Sequence, residues 1–136
     1  MTSPILQMLT VGLGGFFGAI ARFTLTGLAR RWVPSFPPIG TLAVNVLGCF
    51  LIGALMAWVI DIPRTTDRQP LPELARMLLV TGMLGSLTTF SAFGYEAVEL
   101  MRESRWQLAF AYVAGNLFIG LGAVVGGRLL ACRIWG

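Results

Sequence analysis

The chain has 136 residues, 56% hydrophobic and 12% charged, and its ten arginines against six carboxylates leave a net charge of +4, with no lysine and no histidine. Soluble domains carry about twice that share of charge, so a chain of this size has too little polar surface to fold as a water-facing globule. Imidazole is unavailable as metal ligand or general base, and the scattered arginines form no stripe for nucleic acid.

Four stretches contain no Asp, Glu, Lys or Arg: Met1 to Ala21, Trp32 to Ile60, Met77 to Tyr95, and Trp106 to Gly127. Each has about the 20 residues a helix needs to cross hydrocarbon. The expectation is an all-α integral membrane protein, one domain over residues 1–136, with spans near 5–29, 38–60, 73–101 and 106–130. The first stretch has no basic segment ahead of it and three more follow, so it is expected to stay as a span. Cys49 and Cys132 make no CxxC pair and read as small apolar side chains.

Span one carries GLGGFFGAIAR, Gly12 to Arg22, in which Gly14 and Gly18 offer a small-xxx-small face for a neighbouring helix. Arg22 reads two ways: it snorkels to the headgroups, or it stands at an aqueous vestibule and attracts anions. Pro34, Pro37 and Pro38 end this helix and start the next. Span two holds GTLAVNVLG, Gly40 to Gly48, where Thr41 and Asn45 are four apart and share a face. Asn45 is too deep to reach headgroups easily. It is either interhelical glue or a donor facing a pathway and the third span. The second connection, Asp61 to Leu71, reads as a charged surface turn containing Pro63 and Pro70.

Span three contains GSLTTFSAF, Gly85 to Phe93. Gly82, Gly85 and Ser86 weaken a helix, and Thr88 and Thr89 can bond to backbone groups in place of the ladder. Either the helix runs on with its hydroxyls bonded back to carbonyls, or it breaks at mid-membrane. A break survives only where protein, an ion or a water-lined cavity satisfies the freed groups. Phe90 and Phe93 are three apart, so they are packing residues or a pair of electropositive ring edges for an anion. Glu96 follows, an intramembrane carboxylate expected to pair with an interfacial arginine. Span four repeats the polar stripe with Tyr112 and Asn116, four apart.

The arginines nearly tie across the membrane. Arg30, Arg31, Arg102 and Arg105 flank the first and third connections, while Arg64, Arg68 and Arg133 lie opposite, with Arg76 and Arg128 near that boundary. Arginine bias normally sets orientation. The tie is either a weak topology signal or a sign that copies insert both ways up and pair. No nucleophile–base pair, metal cluster or phosphate loop appears, so passive transport suits this inventory better than an enzyme.

In order along the chain, GAIAR (Gly18 to Arg22), GTLAVNVLG (Gly40 to Gly48) and GMLGSLTTFSAF (Gly82 to Phe93), with Tyr112 and Asn116, resemble the CrcB/Fluc family of bacterial fluoride channels. The resemblance implies a third span broken near its middle and antiparallel, dual-topology homodimers in the bacterial inner membrane. Two fluoride pathways would run along the dimer interface. It implies a central, non-transported sodium ion held by the carbonyls of Gly85 and Thr88, two from each subunit. Phe90 and Phe93 match the phenylalanines flanking the route, Asn45 its asparagine, and Thr41, Tyr112 and Asn116 its polar lining. Arg22 matches the vestibule arginine and Glu96 a carboxylate after the break. Ser86 replaces a frequent glycine, Ala92 a common threonine, and Gly120 a serine of some relatives.

The expected function is passive fluoride export that confers fluoride resistance. Arg22 concentrates the anion, and Thr41, Asn45, Ser91, Tyr112 and Asn116 replace its water. Phe90 and Phe93 cover the remaining directions. Two alternatives stay open: a proton-coupled exporter like the small multidrug-resistance proteins, whose span-one carboxylate this chain lacks, and a non-transporting membrane scaffold.

Overall fold

The computed structural model describes residues 2–61 and 71–135. Within them, four helices are long and apolar enough to cross a membrane: α1 (Pro4–Trp32), α2 (Ile39–Asp61), α3 (Glu73–Arg102) and α4 (Trp106–Trp135). The chain is therefore a multi-pass membrane protein of all-helical architecture. The connection holding Pro63, Arg64, Arg68 and Pro70 lies outside the described residues. Ser3 starts α1 by accepting the Leu6 N–H at 3.3 Å, with Pro4 in the first turn, and Arg30 and Arg31 occupy the last turn. Both placements suit the helix dipole and its unpaired end groups. The segments Ala57–Asp61, Met77–Leu84 and Gly115–Ile119 are π-helical.

Two crossings built on glycine assemble the bundle. At Gly14 an added Cβ would collide with the Leu78 carbonyl, and at Gly18 with that of Met83, so α1 lies backbone to backbone on the first half of α3. Gly82 supplies the other side, since a Cβ there would come 2.6 Å from the Val11 carbonyl. The second crossing joins α2 to α4: a Cβ at Gly53 would meet the Val124 carbonyl, and one at Gly127 the Phe50 carbonyl. Lipid tails are as apolar as leucine, so burial alone gives helices little reason to associate. Close packing through small residues supplies it. The outer faces carry exposed Phe16, Phe23 and Phe110, as lipid contact requires.

Gly82 and Gly85 do not interrupt α3, contrary to the expectation from their propensity. Gly85 has helical dihedrals (φ −61°, ψ −33°), and extended backbone appears at Thr88 (ψ 157°) and Thr89 (φ −150°, ψ 119°). Gly82 is spent on proximity to α1. Helical geometry resumes over Phe90–Arg102, with Thr89 as its cap.

Two polar locks hold the ends. Arg128 donates from Nε and Nη2 to the two carboxylate oxygens of Asp61 at 2.8 and 3.0 Å, a forked pair joining α4 to the end of α2. At the other end α3 closes with the Arg105 N–H on the Leu100 carbonyl and the Ser104 N–H on that of Met101. This is the double bond of a Schellman cap. Its left-handed position, usually glycine, is held by Ser104 at φ 59°.

Gly127→Ala is expected to lower stability by about 1–3 kcal/mol, because the Phe50 carbonyl must move. Ser104→Gly is expected to raise it by up to about 1 kcal/mol by relieving the left-handed residue. Thermal unfolding of the purified protein in detergent checks both signs.

Candidate functional site

The two extended residues of α3 would leave backbone groups without helical partners inside the membrane. Asn45, on α2, answers that need. Its Oδ1 accepts the Thr89 N–H at 2.9 Å, and its Nδ2 donates to the Thr89 carbonyl at 3.2 Å. One carboxamide thus pairs with both main-chain groups of one residue, as a neighbouring strand would. Thr89 Oγ1 then accepts the Ala92 N–H at 3.2 Å and starts the second half of the helix. Thr88 donates through its own N–H to the Leu84 carbonyl at 3.2 Å, closing the first half.

This exchange of partners has a consequence for two carbonyls. In an uninterrupted helix the Gly85 carbonyl would accept from the Thr89 N–H, and that of Thr88 from the Ala92 N–H. Both donors are turned elsewhere, to Asn45 Oδ1 and Thr89 Oγ1. Gly85 and Thr88 therefore lose their usual helical donors at the same place. Among the described residues no three His, Cys, Asp or Glu side chains come together.

A chain of polar contacts leads from Asn45 towards the end of α3. Asn45 Nδ2 also donates to Asn116 Oδ1 at 3.1 Å, and Asn116 Nδ2 donates to the Tyr112 carbonyl at 3.0 Å. The Tyr112 hydroxyl donates to Glu96 Oε2 at 2.7 Å, and Glu96 Oε1 accepts from Arg30 Nη2 at 3.3 Å. Aromatic rings follow the same course. Phe90 and Phe93 have centroids 5.5 Å apart, Phe93 and Tyr112 5.6 Å, and Phe36 meets Tyr112 edge-on at 5.9 Å.

A groove of about 590 Å³ runs beside this chain and is lined in part by Asn45, Asn116, Phe90, Phe93, Gly85 and Thr88. Six of the residues singled out from sequence thus meet at one surface. The others lie elsewhere. Thr41 and Tyr112 are 1% and 2% exposed, packed behind the groove beside each other. Ser91 is exposed, its Oγ 3.2 Å from Thr89 Oγ1. Arg22 is half-buried on α1, its carbonyl accepting from the Thr26 hydroxyl. Ser86, at a departure from the family pattern, packs on α1, where a Cβ at Gly15 would lie 3.2 Å from its Oγ.

Sequence reasoning undervalued Thr89, which it treated as one hydroxyl among several. The available signal was a threonine three residues before Ala92 at the start of a new apolar helix, a common N-cap position. It also left the arginine partner of Glu96 unnamed; that partner is Arg30.

Residues 9–128 match the family described as CrcB-like protein, Camphor Resistance (CrcB). A relative from Sulfurovum sp. (strain NBC37-1), named fluoride-specific ion channel FluC, is 38% identical over 129 residues, covering 95% of this chain and 96% of its own. Relatives of the same name come from Nitratidesulfovibrio vulgaris (strain DP4), 41% identical with 85% and 88% covered, and Salinibacter ruber (strain DSM 13855 / M31), 41% identical with 86% and 83% covered.

Removing the Asn45 carboxamide strands two backbone groups away from water. Asn45→Leu is expected to cost at least about 2 kcal/mol, from about 1–3 kcal/mol per orphaned buried group. Loss of the folded species on size-exclusion chromatography, or a large drop in unfolding temperature, is the readout.

Proposed function

Because this chain belongs to the CrcB family, we propose that it is a passive, fluoride-selective channel that exports fluoride from the cytoplasm and confers resistance to it. It is a transport protein and not an enzyme. The observation that carries the reading is the meeting of two asparagines and two phenylalanines on one groove along the side of a bundle of membrane spans. The relatives named fluoride-specific ion channels support the choice of ion.

Fluoride is small and strongly hydrated, so a route must replace the water it loses. Both amide hydrogens of Asn45 are committed, to Thr89 and to Asn116. A fluoride taken up there exchanges with one of those bonds rather than meeting a waiting donor. Asn116 spends one amide hydrogen on the Tyr112 carbonyl, which leaves its other hydrogen for the anion. Phe90, 83% exposed, and Phe93 present ring edges of positive potential to the same groove. Ser91 donates farther along, Thr41 and Tyr112 hold the wall from behind, and Arg22 raises the anion concentration at a vestibule. Among the described residues no charged side chain lines the groove, so no fixed side-chain cation traps the ion. Chloride, larger and a weaker acceptor, recovers less of its dehydration.

The working unit in this reading is an antiparallel homodimer in the bacterial inner membrane. The groove is open along its side, and the asparagines and extended backbone lining it cannot face lipid. A second copy covers them, and the near tie of arginines lets copies insert both ways up. In that dimer the Gly85 and Thr88 carbonyls, deprived of helical donors, suit a structural sodium ion as four neutral, hard oxygens from two subunits. The ion would satisfy those carbonyls and tie the two interrupted helices together.

Proteoliposomes containing the purified protein are expected to release fluoride quickly and chloride hardly at all; no fluoride release from folded dimers overturns the reading. Phe90→Ile and Phe93→Ile are each expected to slow fluoride efflux about five- to tenfold, a ring-edge contact being worth about 1 kcal/mol. Replacing sodium by a large organic cation throughout purification is expected to lower efflux, and added sodium to restore it.

A further inference from the structure

Glu96 is a carboxylate inside a membrane span, its side chain 15% exposed, one helical turn beyond Phe93. A negative charge so placed raises two difficulties. It is costly to hold away from water, and it repels any anion moving along the groove that Phe93 lines. The Tyr112 hydroxyl bond at 2.7 Å eases the first and leaves the second, because a hydroxyl adds no positive charge. Arg30 addresses both. Its Nη2 donates to Glu96 Oε1 at 3.3 Å, while its Nε donates to the Pro37 carbonyl at 3.2 Å. The guanidinium is thereby fixed between the α1–α2 connection and the carboxylate.

Among the described residues, three further ion pairs, Glu99–Arg102, Glu103–Arg105 and Asp61–Arg128, share no residue with the polar chain that starts at Asn45. The pair of Arg30 and Glu96 joins that chain through Tyr112. We propose that Arg30 is a positioning residue for permeation: it cancels the charge of Glu96 at one end of the fluoride route, so that the carboxylate can hold Tyr112 in place without barring the anion. This rests on the fluoride-channel reading above.

The test is a double-mutant cycle on fluoride efflux from proteoliposomes, using Arg30→Gln, Glu96→Gln and the pair together. One uncompensated charge roughly 10 Å from the ion, at an effective dielectric constant of about 20, predicts that Arg30→Gln slows efflux about tenfold. On the Glu96→Gln background the same change is expected to matter by less than about twofold, the usual limit for uncoupled sites. Arg30→Lys keeps the charge and is expected to retain efflux within about threefold, losing only the fork to Pro37. An equal loss in both backgrounds, or wild-type efflux from Arg30→Gln, overturns the proposal while wild-type fluoride flux keeps the channel reading intact. If the wild-type protein itself passes no fluoride, both fall. Should Arg30→Gln alone fail to fold, a double variant that folds and conducts like Glu96→Gln supports the charge argument, and one that does not overturns it.

Discussion

Hydrocarbon offers no hydrogen bonds, and that single fact makes the Asn45–Thr89 pairing the contact on which the rest of the molecule depends. Two extended residues in α3 would otherwise present orphaned main-chain groups to lipid, at several kcal/mol each. One carboxamide accepts the N–H and donates to the C=O of Thr89. The same amide nitrogen reaches Asn116, so α2, α3 and α4 are registered to one another by a single side chain. Structural need and functional placement coincide here. The group that keeps the irregular backbone solvated by protein is also the group that faces the groove.

The glycine crossings explain why that register is attainable. Asn45 reaches across to Thr89 and Asn116 only if α2 runs close to both neighbours. Gly53 and Gly127 let α2 and α4 meet at backbone distance, while Gly48 leaves room for the Thr88 methyl, into which a Cβ there would run. On the other side, Gly14 and Gly18 let α1 support the first half of α3, with Val44, Leu84 and Leu87 forming the buried cluster beneath the extended residues. A second cluster of Ala97, Leu100, Ala109 and Tyr112 fixes the second half of α3 against α4. The two halves are thus seated on different partners, and the backbone between them need not be helical.

Much of this was legible in the sequence, and the rest was hidden for physical reasons. The four spans followed from uncharged length alone, although α4 runs to Trp135 rather than stopping near residue 130. Arg128 looked like a boundary because a lone arginine marks one; its forked pair with Asp61 lets the helix continue past it. Gly14 and Gly18 were readable as a contact face, but their partner was not, since a small-xxx-small pattern names no neighbour. Asn45, Asn116, Phe90 and Phe93 were found by spacing and by resemblance. Thr89 was passed over because its value comes from a residue 44 positions away, and no local pattern encodes such a separation. Gly82 and Gly85 misled for the opposite reason: propensity describes an isolated helix, whereas α1 needs Gly82 for closeness.

The groove also shows why polar residues in this bundle are arranged as a chain and not a cluster. A cluster of donors at one depth would bind an anion and keep it, and a purely apolar cleft would never desolvate it. In the proposed channel, an anion that takes a hydrogen bond from Asn45 displaces the one Asn45 makes to Asn116, whereas Asn116, with one amide hydrogen on the Tyr112 carbonyl, offers its other one. On that reading the exchange at Asn45 is close to neutral, so an anion there is both admitted and released. Ring edges at Phe90 and Phe93 would add attraction without a charge that holds the ion. Arg30 lies in the last turn of α1, half exposed, where water screens it. Glu96, a half-buried carboxylate tied to the polar chain by the Tyr112 hydroxyl, is the exception that this arrangement must neutralise, and an arginine anchored on the Pro37 carbonyl is placed to do so.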